Sequence, residues 1–387
     1  MTTTPLRGER LTALRRLHGL SQTRLATELG VTQSFLSLVE RSERTFPETL
    51  AGVACSQFAL PRSFFAVPAR ASDLSPVTFR KKASAGARAE ARVVQAYREA
   101  ARLFELVSER SGYGSAHLPD PQAFESDPAK CAEAIRDQLG LDWAAPVPNV
   151  TRALERLGIG VLDRLDPHPA QLGDHLSVSR PADATARPLV AIIADGLPGA
   201  VQRLSLAHEL GHLLLDRDRI QPIAGTRSKE ERRAYSFASA LLVPDQVLRD
   251  AVSETLTLNG YLRIKADYGI SVAALIIRAR DLDIISRTRA RSLQIQLSSQ
   301  GWRAHEPVEV ASERSLLFEQ AYRRVFGDRS ASAVAYETGH SPELLTYWLG
   351  EPTTPIPDGH SAHVVDLAER RNRTVKSRRA GSSSLTS

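Results

Sequence analysis

Along residues 1–60 apolar positions recur every three or four residues in short blocks separated by polar turns, which predicts a bundle of short helices closed by Pro61 and Pro68. Pro68 to Ala87 is rich in Ala, Ser and Pro and reads as a linker. It leads into Arg88 to Arg110, where Val93, Val94, Tyr97, Ala101, Phe104 and Val107 share a helical face and predict a long connector helix. After a Gly- and Pro-rich loop, Ser111 to Pro121, further helices precede β-like runs at Ile159 to Asp163, His175 to Ser179 and Leu189 to Ala194. Helical periodicity resumes from about Gly199 and again beyond Pro307. Pro352 opens a terminal stretch ending RRAGSSSLTS, expected to be disordered. The fold class expected is multidomain: an all-α block at 1–68, a linker and connector helix at 69–120, an α+β region at 121–250, a mostly helical region at 251–350 and a basic tail at 351–387.

Composition narrows the class. With 387 residues, 24% charged and 42% hydrophobic, the chain has globular values and length for two or three domains. Its longest apolar runs, such as Leu189 to Ala194, fall far short of a bilayer span, so no membrane partner is expected. The start, MTTTPLRGERL, lacks a secretory apolar stretch, and Cys55 and Cys131 form no pair at metal-ligand spacing. A cytoplasmic chain without a disulfide framework is the expectation. The formal charge of +6 sits at the ends: residues 1–68 carry eight Arg against five acids, and residues 369–387 six Lys or Arg against Glu369. Such ends suit a polyphosphate partner, or else a solvated Arg-rich surface.

In LSQTRLATELGVTQSFLSLVERSER, Leu25, Leu29, Val31, Leu36 and Val39 share one side, Ala26 is small where two helices meet, and Gly30 permits a turn. That is the spacing of a helix-turn-helix, whose second helix enters the major groove of double-stranded DNA. Gln22 begins the first helix, where an amide reaches phosphate, and Thr32 caps the second. Thr32, Gln33, Ser34, Ser37 and Arg41 face outward, with Gln33 suited to adenine and Arg41 to phosphate. The block resembles the XRE-type, phage-repressor-like family over residues 7–66. A helical docking module that no longer reads DNA is the other reading. A fainter echo, SASAVAYETGHSPELLTYWLG, reads as an ordinary helical hairpin.

The sharpest chemical pattern is LSLAHELGHLLLDR, where His208, Glu209 and His212 form H-E-x-x-H. On a helix, i and i+4 share a face, so both imidazoles can hold one Zn²⁺ while Glu209 stands near enough to take a proton from water beside it. A catalytic zinc needs a third protein ligand. Asp216 lies too far along the same helix to join both rings and is the better supporting or surface acid. Glu231, in SKEERRAYSFASALLVP, shares a face with Ala234 and Ala238, which would leave room for an ion. Ser228-x-x-Glu231 is equally a capping box, and Glu230 competes for the ligand role.

Taken together, the chain resembles the ImmA/IrrE zinc metallopeptidases that carry a fused amino-terminal XRE-type domain. RLSLAHELGHLLL, EERRAYSFASALLVP, YGISVAALIIRARDLDIIS and GWRAHEP carry the likeness. The resemblance implies a zincin-like fold for 121–250, places the acidic ligand at Glu231, and makes Glu209 the general base. It also implies an endopeptidase that cuts a repressor protein, and a homodimer on palindromic DNA. Arg233 and Tyr235 depart from the family, which commonly has Glu or Gln and Asn there, so the support around the metal differs. His175, Arg203 and Tyr235 are the candidate donors to a tetrahedral intermediate. The rival expectation is a DNA-binding regulator whose peptidase fold senses metal, is structural, or has decayed. No G-x-x-x-x-G-K-[ST], G-x-G-x-x-G or G-x-S-x-G motif supports other chemistry.

Overall fold

Four short helices open the chain, α1 (Glu9–Leu17), α2 (Gln22–Glu28), α3 (Gln33–Glu40) and α4 (Glu48–Phe58), and a 3₁₀ turn at Arg62–Ala66 closes the block. The structure is a computed structural model and describes residues 4–70, 75–81, 86–168, 175–183, 186–193, 196–219 and 228–349. The terminal tail expected at 351–387 lies outside the described residues. Ser21 and Thr32 cap α2 and α3 by accepting from the backbone N–H of Arg24 and Phe35. Gly30 turns the chain between them at φ +68°, a backbone state that costs any side-chain-bearing residue. Leu25, Ala26, Leu29, Leu36 and Val39 are buried, as their spacing requires.

The long connector helix exists as α5 (Ala87–Ser111), but it is a spine rather than a tether. Its Val93, Ala96, Tyr97, Ala100 and Phe104 share one apolar core with Leu11, Leu14 and Phe64 of the amino-terminal block. Helices α14 (Leu317–Phe326), α15 (Ala331–Thr338) and α16 (Pro342–Leu349) complete that core, and Phe318 stacks on Phe104. Glu99 of α5 is buried between Arg10 and Arg102, each 2.7 Å away. Removing Glu99 would leave both buried guanidiniums without their counter-charge, at about 3–5 kcal/mol. All described residues fall in one compact unit, Met1–Leu349.

A four-stranded sheet of order β1-β3-β4-β2 lies beside α5, built from β1 (Thr78–Lys81), β2 (Gly160–Leu162), β3 (His175–Ser179) and β4 (Leu189–Ile192). The last three occupy the expected runs, whereas β1 lies in the stretch read as linker. Strand β3 pairs antiparallel with both β1 and β4, and β2 runs parallel to β4. Because strand side chains alternate, Leu162, Val178, Leu189 and Ala191 pack on the α5 side, while Val161, Val190 and Ile192 enter a second core.

That second core belongs to α6 (Pro128–Gln138), α7 (Val150–Arg156), α8 (Gly199–Leu215), α9 (Lys229–Leu242), α10 (Asp245–Ala251), α11 (Leu258–Tyr268), α12 (Val272–Asp281) and α13 (Arg287–Ser299). The region expected as a separate helical part, 251–350, is therefore shared between the two cores. An extended strap after α13 fastens it by carboxylates at helix starts: Glu306 accepts from the N–H groups of Val272 and Ala273, and Glu313 from those of Val150 and Thr151. No described helix is long and apolar enough to cross a membrane.

Candidate functional site

Helix α8 carries a nearly continuous apolar surface, with Leu204, Leu206, Ala207, Leu210, Leu213 and Leu214 all buried, so its polar residues are carried inside with it. His208, Glu209 and His212 are 3%, 0% and 0% exposed. Helix α9 crosses α8 closely at Gly211, where a Cβ would stand 3.1 Å from the backbone of Ala234. This close crossing, small residue against small residue, brings Glu231 over the two imidazoles.

The Nε2 atoms of His208 and His212 are 3.1 Å apart, and the Glu231 carboxylate lies 3.2 Å from the first and 3.4 Å from the second. One ligand atom from each of the three residues falls within 4.8 Å of the others. Two imidazole nitrogens and a carboxylate converging in this way are compatible with Zn²⁺ and leave a fourth position open. Ser228 caps α9 by accepting from the Glu231 N–H at 3.2 Å, while the Glu231 carboxylate turns to the histidines instead of closing the box. Glu230 pairs with Arg219 at 2.7 Å.

Asp216 accepts from His212 Nδ1 at 2.7 Å, the supporting place its spacing allowed. Asp216 is itself held by Arg233, which also donates to the Leu215 carbonyl at 2.8 Å. Arg233, one of the departures from the family pattern, thus anchors the acid that orients a histidine. His208 Nδ1 is buried with no such partner among the described residues. We expect Asp216→Asn to weaken zinc binding by roughly 10- to 100-fold, the usual cost of losing such a partner, in a chelator competition.

Burial pushes the His208 imidazole below its ordinary pKa. For His212 burial also acts downward, yet hydrogen bonds to Asp216 and Glu231 prevail and raise it to about 9. Burial would raise Glu231, but hydrogen bonds from both histidines bring it down to about 2. A metal requires neutral imidazoles, so at pH 7 its uptake displaces the His212 proton. Affinity should therefore rise about tenfold per pH unit until pH passes about 9. Calorimetry in buffers of different ionisation enthalpy should record about one proton released at pH 7 and none at pH 10.

Glu209 stands beside the cluster and faces the sheet. Ser177 donates to its Oε1 at 2.7 Å, and Ser179 and Thr78 donate to its Oε2 at 2.6 and 3.0 Å. None of these three hydroxyls stood out in the sequence; alternation along β3 could have flagged Ser177 and Ser179 as facing the same side. A groove of about 640 Å³ opens onto His208 and Glu231 and is lined by Tyr235, Asp127, Ser236 and Arg278. Of the expected donors, Tyr235 lines this groove, whereas Arg203 is occupied by Glu313 and the Val147 carbonyl. The His175 side chain lies outside what the structure describes.

In the amino-terminal block Thr32, Gln33, Ser34 and Arg41 are exposed, and Gln22 and Ser37 half-buried. Gln33 donates to Gln22 at 2.5 Å, and Gln22 donates to Glu40 at 2.8 Å. Arg15 holds Glu40 in turn, also at 2.8 Å, so the first outward residue of α3 is braced from the body of the block. Arg41 bonds Ser37 at 2.6 Å and Glu43 at 2.7 Å. An exposed pair of this kind is worth little and is readily exchanged for another anion.

No curated protein matches this chain. Residues 155–280 match the family described as the IrrE N-terminal-like domain, Peptidase_M78, a match that spans α8 and α9 and marks a metallopeptidase-type domain there.

Proposed function

We propose that this chain is a DNA-binding transcriptional regulator whose α8–α9 site is a zinc-dependent endopeptidase acting on a repressor protein. The observation that supports it most is the convergence of His208, His212 and Glu231 with Glu209 on the same buried helix. In this reading His208, His212 and Glu231 hold the ion. Bound Zn²⁺ supplies Lewis-acid polarisation of the scissile carbonyl and of the attacking water. Glu209 accepts the water's proton at its carboxylate and returns it to the leaving amine. Tyr235, on the groove, donates to the developing oxyanion.

The substrate and the DNA are joined in function: a dimer bound at a palindromic site would hold the peptidase near a repressor on the same DNA, raising its effective concentration. Cells carrying the wild-type chain or Glu209→Gln, compared by enrichment of new protein N-termini, test the activity. A repressor-derived N-terminus present only with the wild type supports it; identical sets of termini oppose it. The DNA reading has its own expectation. Gln33→Ala should weaken binding to its operator by roughly 10- to 100-fold while leaving non-specific binding unchanged, as measured by electrophoretic shift.

A second reading, a regulator whose metal site is structural, draws on one observation. The Glu209 carboxylate is fully buried and satisfied by three hydroxyls. That reading expects Glu209→Gln to be silent in cells.

A further inference from the structure

Strand β1 does not come from the region that builds the rest of the sheet. It is four residues long and lies between the 3₁₀ turn at Arg62–Ala66 and α5, yet it forms the sheet edge next to β3. Its register is antiparallel, with Thr78 opposite Ser179, Phe79 opposite Val178 and Arg80 opposite Ser177, and it slips between Arg80 and Lys81. The hydroxyls of Thr78, Ser177 and Ser179 therefore meet on the side that faces α8, where all three donate to Glu209. Thr78 is 3% exposed and both serines are 0% exposed.

Without β1 the outer edge of β3 would present unpaired N–H and C=O groups, the template to which extended peptides add as a strand. A peptide added there would lay its main chain beside Glu209. Alternate side chains would point at α8, and the one opposite Ser179 would meet the Glu209 carboxylate in a space walled by two serines. A small side chain able to donate a hydrogen bond fits that position, and Thr78 is one.

We infer that Val77–Lys81 is the chain's own occupant of a peptide-acceptor edge, with the Thr78 hydroxyl holding Glu209 until an extended segment of a partner replaces it. The inference rests on the peptidase reading for its purpose. It also assigns the substrate a form: an extended segment antiparallel to β3, with a small hydroxyl-bearing residue opposite Ser179.

The test uses the full chain with residues 77–81 replaced by Gly-Gly-Ser-Gly-Gly, which leaves no hydroxyl at position 78, and a fluorescein-labelled peptide of residues 75–81, SPVTFRK, followed by anisotropy. The replaced chain should bind the peptide at least about tenfold more tightly than the wild type, and a peptide with Thr78→Val should bind about tenfold more weakly, as for a lost hydrogen bond to a charged group. Equal binding by both chains, or none by a folded replaced chain, overturns the inference. If the replaced chain does not fold, near-isosteric Thr78→Val in the full chain decides the question. Amide exchange at Ser177 to Ser179 should then accelerate about tenfold as the strand is loosened, and unchanged rates overturn the inference. Neither readout involves cleavage, so peptide binding without new N-termini would leave the edge site standing and remove the peptidase reading.

Discussion

Glu209→Gln is expected to leave zinc content and affinity within about twofold of the wild type while lowering peptide cleavage by about 10²- to 10⁴-fold, the span typical for loss of a general base. Retention of metal follows from geometry, because His208, His212 and Glu231 converge without Glu209. Retention of fold follows from shape: in an amide of the same size the oxygen still accepts from Ser179 and Thr78, and the NH₂ donates to the Ser177 hydroxyl, which turns to accept it. What glutamine cannot do is take a proton. Zinc analysis together with the rate of appearance of the new N-terminus checks both halves. A variant that cleaved at the wild-type rate would remove Glu209 from the chemistry and favour the structural reading of the site.

Glu231→Ala is expected to weaken zinc binding by about 10³-fold or more, since even an indirect partner of a ligand is worth 10- to 100-fold. The physical reason is the loss of the anion that lies against both Nε2 atoms, at 3.2 and 3.4 Å. The same change should lower the His212 pKa, because one of the two hydrogen bonds that raise it is gone while burial and Asp216 remain. Proton release on metal binding at pH 7 should shrink accordingly. Glu230→Ala serves as the contrast: its carboxylate is engaged with Arg219 on the surface, and its removal should leave affinity within about twofold.

Much of this site is legible in the chain itself. The i, i+4 spacing puts both histidines on one helical face, and the apolar residues around them require that face to be buried. The ambiguity at Ser228-x-x-Glu231 is real, since the serine does cap α9. Only the crossing at Gly211 and Ala234 shows the carboxylate taken by the histidines instead. Arg233 reaching Asp216 links residues 17 apart in sequence across α8 and α9, and no local pattern encodes that pair. Strand β1 has a signal in the run Val77, Thr78 and Phe79, but four residues beside prolines and serines read as linker. The expectation of a tether between separate parts gives way for a related reason: Arg10, Glu99 and Arg102 look like surface charges in sequence, and only their mutual pairing makes them a buried joint.

The zinc K-edge absorption spectrum of the metal-loaded full chain tests most directly that α8 and α9 form a mononuclear catalytic-type site. One zinc per chain, bound by nitrogen and oxygen alone with two imidazoles in the scattering and one of them lost in His212→Ala, is the predicted result. Sulfur bound to the metal, or a spectrum unchanged by His212→Ala, would contradict it.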